Sequence, residues 1–114
     1  MIKYRLFEWK DGKYLTLFHG INGSRVVPVG KWIKAKQSIV YEGQHGKRYR
    51  AGFHIFKSLS MIPIFINKFK AHRALAVVRV EIRGNIRNKP SNPNIFLAPE
   101  MKLLRRRPEL IFHI

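Results

Sequence analysis

Lysine and arginine are the residues with which this sequence could do most chemistry. They make up 23 of its 114 residues against 6 Asp and Glu, a formal net charge of +17 at pH 7. Such cations bind phosphate by charge-assisted hydrogen bonds and release condensed counterions from a polyanion, so their binding is strongly salt-dependent. The run Gln44-His45-Gly46-Lys47-Arg48-Tyr49-Arg50 interleaves an aromatic ring with basic groups. That pattern suits combined charge pairing and base stacking on single strands. Between Glu42 and Glu81 there is no acidic residue, and Lys57, Lys68, Lys70 and Arg73 fall in that interval; Arg105, Arg106 and Arg107 form a second run. The candidate phosphate contacts are therefore Lys47, Arg48, Tyr49, Arg50, Lys57, Lys68, Lys70, Arg73, Arg105, Arg106 and Arg107. The partner they imply is DNA or RNA, or a host nucleoprotein. A module that blocks an acidic enzyme surface is a further reading of the same charge. No zinc-finger spacing, basic region running into heptads or helix-turn-helix marks a sequence-specific reader.

Other chemistry is thinly supplied. Five histidines without cysteine or paired carboxylates form no recognisable metal set. The six acidic residues are scattered, which gives no general-acid/base pair, and no glycine motif has the lysine and spacing of a phosphate cradle. One order of short motifs does suggest a reaction. His19-Gly20 ends an early strand, Gly52-Phe53-His54-Ile55-Phe56 precedes an expected helix, Val77 to Gly84 reads as a strand, and Glu100 precedes an apolar piece. This order resembles the ADP-ribosyltransferase superfamily over roughly Leu15 to Leu104. The resemblance implies an NAD cofactor, with His19 holding the adenosine ribose and the nicotinamide amide. It also implies that Glu100 stabilises a ribosyl oxocarbenium ion and orients the acceptor. His54 stands where that family usually has a tyrosine that stacks on nicotinamide, with Tyr49 nearby. Ile21 stands where a small hydroxyl residue is usual. The resemblance is compatible with an NAD-dependent transferase and with a non-catalytic relative; apart from it, no cofactor is indicated. The order of segments is also similar to that of small bacteriophage proteins, which implies the cytoplasm of a bacterial host.

The elements that would position these residues read as an α+β domain: a small, mostly antiparallel sheet of short strands packed on one main helix. Ile2 to Trp9 alternates β-formers with Lys3 and Arg5, and Tyr14 to His19 is its return strand across Asp11-Gly12, a strong hairpin signal. Gly20 to Ser24 reads as a turn, and Arg25 to Val29 as an irregular edge because of Pro28. Trp32 to Tyr41 holds a strand, best at Ser38 to Tyr41; Glu42 to Arg48 reads as a loop and Tyr49 to Phe56 as the next strand. Gly52 within it marks a close approach to the backbone.

The helix is expected from about Ser58 to Arg73. Ser60 would cap it, Pro63 would sit in its first turn, and Ile62, Phe65, Ile66 and Phe69 fall at helical spacing. Ala74 to Gly84 is the clearest strand, with Val78, Val80 and Ile82 on one face and Arg79, Glu81 and Arg83 on the other. Asn85 to Asn94 reads as a polar loop, followed by apolar pieces at Ile95 to Ala98, Met101 to Leu104 and Leu110 to Ile114. Trp9 and Trp32 read as core or core-edge residues.

Length and composition set outer limits. The chain fits a single domain, 1–114, and with 46% apolar residues it can bury a core, unlike a disordered basic tail. The absence of cysteine and of an apolar stretch behind Met1 points to a reducing cytoplasm. The longest apolar run, Leu59 to Ile66, is interrupted by Ser60 and Pro63 and is too short to cross a bilayer, so no membrane partner is expected.

Overall fold

Asp11 and Gly12 both take positive φ, 52° and 70°, so the two-residue turn that joins the first two strands has the left-handed pair of a type I′ hairpin. The strands it joins are β1 (Ile2–Lys10) and β2 (Lys13–Leu15), with Trp9 opposite Tyr14. The computed structural model describes residues 1–17, 26–35, 39–42, 47–50, 52–66 and 74–113, and within them residues 39–42, 47–50 and 64–65 by their backbone alone.

Nine further strands follow: β3 (Trp32–Lys34), β4 (Ile39–Glu42), β5 (Lys47–Arg50), β6 (Phe53–Phe56), β7 (Ala74–Arg83), β8 (Arg87–Lys89), β9 (Asn92–Ala98), β10 (Glu100–Leu103) and β11 (Leu110–His113). Nine of the eleven strands form one antiparallel sheet ordered β3-β10-β7-β1-β6-β9-β8. In addition β11 lies beside the first half of β7, and β2 beside the end of β1. β4 and β5 form a separate hairpin, with Val40 opposite Tyr49.

The expected α+β fold with a main helix is not what forms. The described part of Ser58 to Arg73 holds one 3₁₀ turn (Leu59–Met61) and one four-residue helix, α1 (Ile62–Phe65). Ser58 is extended, α1 is entered from Met61 with no side-chain cap, and Ser60 sits inside the 3₁₀ turn with its Oγ 3.0 Å from that of Ser58. Pro63 does occupy the first turn. The stretch is built of Ile and Phe, which are poor helix formers, and one short turn gains little from propagation. Ile62, with Met61 and Ile66 alongside, instead covers a sheet and is buried against Leu6, Phe56, Leu75, Val77 and Ile95. Residues 67–73 lie outside the described residues.

This packing explains the pattern of β7. Its first half, Ala74 to Val78, is buried on both faces, while from Arg79 onward burial alternates. A strand covered on both sides reads as a continuous apolar run, and one covered on a single side alternates. The larger core lies on the other face, where Phe7, Phe53, Ile55, Val78, Val80, Met101 and Leu103 meet. Phe7 and Tyr14 are tilted ring neighbours there, with centroids 5.6 Å apart.

Three other expectations are corrected by the pairing. Of the return strand expected from Tyr14 to His19, the described residues form strand only within Lys13–Leu15, and His19 lies outside them. Tyr49 to Phe56 is two strands in different sheets, with Lys47 and Arg48 in β5 rather than in a loop. Asn85 to Asn94 is no simple loop, because β8 and the start of β9 form a hairpin with a register shift at Asn88 and Lys89.

Two glycines mark close contacts. A Cβ on Gly52 would stand 3.1 Å from the Ala98 carbonyl oxygen of the neighbouring strand, which is the close backbone approach its position suggested. Gly84 has φ +95°, and a Cβ there would lie 2.5 Å from Cγ of Pro99. Gly84→Ala combines backbone strain with a clash against a rigid ring, and should lower stability by about 1–3 kcal/mol. Urea unfolding measures this, and an unchanged midpoint would mean that the Pro99 ring moves aside freely.

Candidate polyanion-binding face

Lys3 and Arg5 alternate on β1 ahead of Phe7, so all three side chains leave the same face of the sheet. β6 lies next to β1, with Phe56 opposite Tyr4, and brings Phe53 to that face and Lys57 to its end. β9 and β8 add Phe96 and Asn88, which are opposite each other. Lys3 Nζ donates to the Lys57 carbonyl at 3.3 Å. Lys57 Nζ donates to Asn88 Oδ1 at 2.7 Å and to the Pro93 carbonyl, and stands 4.4 Å from the centre of the Phe96 ring.

Arg5 is held between two rings, its guanidinium carbon 5.2 Å from the centres of both Phe7 and Phe53. Its Nη1 donates to the His54 carbonyl at 3.0 Å, while its Nε is buried and meets no acceptor. Burial holds the guanidinium down to about 10, so at neutral pH it remains a cation. Lys3, Arg5 and Lys57 form no ion pair with any carboxylate among the described residues.

The far side of the sheet is arranged oppositely. On β7 and β10, Arg83 lies opposite Glu100 and Glu81 opposite Lys102, giving ion pairs of 3.1 and 3.7 Å. Glu109, just before β11, meets Arg79 at 3.5 Å and Arg105 at 3.2 Å. Trp32 on β3 carries Arg83 3.8 Å and Lys102 5.0 Å from its ring centre, which makes it a platform for protein cations at the sheet edge. These exposed pairs contribute little stability, about 0–1 kcal/mol each. Their consequence is that most of the local charge is compensated: three of the six carboxylates face four basic residues here, which leaves a net charge of +1.

The sequence candidates are dispersed over this framework. Lys57 joins the unpaired cluster. Lys47, Arg48, Tyr49 and Arg50 make up β5 in the two-stranded sheet. Lys68, Lys70, Arg73 and His19 lie outside the described residues. Arg105, Arg106 and Arg107 are exposed between β10 and β11, Arg105 being paired to Glu109. His54 is on β6 and Glu100 on β10, with β7 and β1 between them, a spacing of three strands or roughly 14 Å along the sheet. Glu100 is engaged by Arg83, so the described residues do not converge these two on one small ligand. Lys3 and Arg5 were missed as site residues; their signal was the odd-numbered alternation with Phe7.

No family model, curated protein or solved structure matches the chain. Among the described residues no group of three or more His, Asp or Glu could hold a metal ion, and no helix is long and apolar enough to cross a membrane.

Arg106 also lines a cavity of about 300 Å³ with Gly12, Lys13, Tyr14, Val26, Val27 and Val29. The Tyr14 hydroxyl is buried and unpartnered, and burial, reinforced by Glu109, pushes it up to about 12. Unfolded Tyr14 loses its proton near pH 10, so between about pH 10 and 12 the unfolded state binds fewer protons than the folded one. The stability this proton linkage contributes is complete below pH 10 and should fall as pH rises through that window. Arg5, held down to about 10, contributes with the opposite sign in the same window, so the Tyr14 part is read as a difference: Tyr14→Phe should lose less stability than the parent between pH 9.5 and 11.5, yet differ from it at pH 7 by no more than about 1 kcal/mol. Urea midpoints at pH 7, 9.5 and 11.5 measure both.

Proposed function

We propose that this chain binds nucleic acid by occupancy, through phosphate contacts from the face of β1, β6 and β9. The observation that carries the reading is the segregation of carboxylates: Glu81, Glu100 and Glu109 compensate most of the charge of the β7–β10 side, whereas Lys3, Arg5 and Lys57 keep their charge. A positive field concentrated on one side steers a polyanion to that side. The rings of this face are covered by the protein's own cations, Phe96 by Lys57 and Phe53 by Arg5. Backbone contact rather than base stacking is therefore the mode it favours, and little sequence preference is expected. Exposed Arg106 and Arg107, between β10 and β11, add further charge.

The test is binding of the purified protein to labelled single-stranded and duplex DNA and RNA, at low and at near-physiological salt. Binding that weakens steeply with salt but survives near-physiological conditions is expected. Absence of binding at low salt would overturn the reading and turn attention to an acidic protein surface.

A further inference from the structure

Among the described residues, Arg5 is the basic residue of this face whose donors are held in place and incompletely used. A guanidinium carries five N–H donors in a planar fork. Here one reaches the His54 carbonyl and the Nε donor meets none, although that atom is buried. The two phenyl rings fix the plane of the fork, and its bond to His54 lies at the accessible end of the side chain. A cation taken out of water without a counter-charge is costly, and among the described residues the protein supplies Arg5 with none. Lys3, two residues before Arg5 on the same face, reaches the Lys57 carbonyl, while the Lys57 ammonium lies further along the face on Asn88, Pro93 and Phe96.

We propose that Arg5, flanked by Lys3 and Lys57, is a phosphate site, at which the guanidinium takes two oxygens of one phosphoryl group while the lysines serve as point charges toward the neighbouring phosphates of the strand. The inference rests on the nucleic-acid reading above and names the anchor within that face. A planar fork matches two phosphate oxygens, which an ammonium cannot do. The same chemistry is offered by a backbone phosphodiester and by free inorganic phosphate, and only the first is part of a polymer.

The test follows the side-chain Nε–H signal of Arg5 by NMR during titration with a labelled single-stranded oligonucleotide and, separately, with inorganic phosphate. Oligonucleotide affinity is measured in parallel for Arg5→Met, Arg5→Lys and Lys34→Met. Lys34 is exposed on β3 and controls for the loss of one charge. The expected result is a shifted Arg5 signal with both ligands. Arg5→Met should lose about tenfold in affinity, Arg5→Lys should recover only part of it, and Lys34→Met should lose much less. If the oligonucleotide binds while the Arg5 signal stays still, and Arg5→Met matches Lys34→Met, the anchor is refuted and the nucleic-acid reading survives. If phosphate moves Arg5 but the oligonucleotide does not bind, the site stands as one for free phosphate and the nucleic-acid reading falls. If neither ligand moves the signal and the oligonucleotide does not bind, both fall.

Discussion

Phe7→Ala should destabilise the protein by about 3–5 kcal/mol, a large share of the stability of a domain this size. The side chain is 0% exposed and sits where β1 crosses the centre of the larger core, between β7 on one side and β2 and β6 on the other. Its removal deletes the ring contact with Tyr14 and leaves a cavity that surrounding strands cannot collapse into without breaking their ladders. It also takes away one of the two rings that hold Arg5, so any folded fraction should bind a polyanion less well. Thermal and urea unfolding read the first effect. A loss below 1 kcal/mol would mean that Phe7 is not at the centre of the core.

The second large effect is on salt dependence. Each phosphate neutralised contributes about 0.7–0.9 to the slope of log affinity against log salt, for single strands and duplex respectively. Three contacts from Lys3, Arg5 and Lys57 therefore give a slope of about 2.1–2.7, or roughly 20- to 40-fold weaker binding between 50 and 200 mM salt. Changing Lys3 and Lys57 to Gln together should flatten the slope by about 1.4–1.8. An unaltered slope would place the phosphate contacts elsewhere on the chain.

What the sequence could and could not show follows from the range of the interactions involved. The Asp11-Gly12 hairpin, the alternation of Val78 to Arg83 and the close approach at Gly52 are local signals, and the structure has all three. The helix from Ser58 failed because Ile62 and Ile66 have helical spacing but belong to a plug over a sheet, and spacing alone does not separate the two. The β8–β9 hairpin was hidden by Pro90 and Pro93. Pro90 falls in the turn, and Pro93 falls where the register shifts and before the ladder with β6 begins at Ile95, so neither removes a needed bond.

The candidate face was legible only in part. Lys57 could be chosen from charge, but Arg5 required the knowledge that Phe53, 48 residues away, would lie beside Phe7. The compensated side was equally hidden: that Glu100 meets Arg83 and Glu81 meets Lys102 depends on the register of β7 against β10. Counting charges along the chain gives the excess. Only the pairing of distant strands gives its distribution.

The central claim is that unpaired, not total, positive charge makes the interface. The most direct measurement compares two variants of equal net charge, Lys3→Gln/Lys57→Gln and Arg83→Gln/Lys102→Gln, for nucleic-acid affinity at one low salt concentration. The first pair should lose at least tenfold, about 1.4 kcal/mol, and the second should remain close to the parent protein. Equal losses in both would contradict the account, because binding would then follow overall charge and no face of the sheet would be privileged.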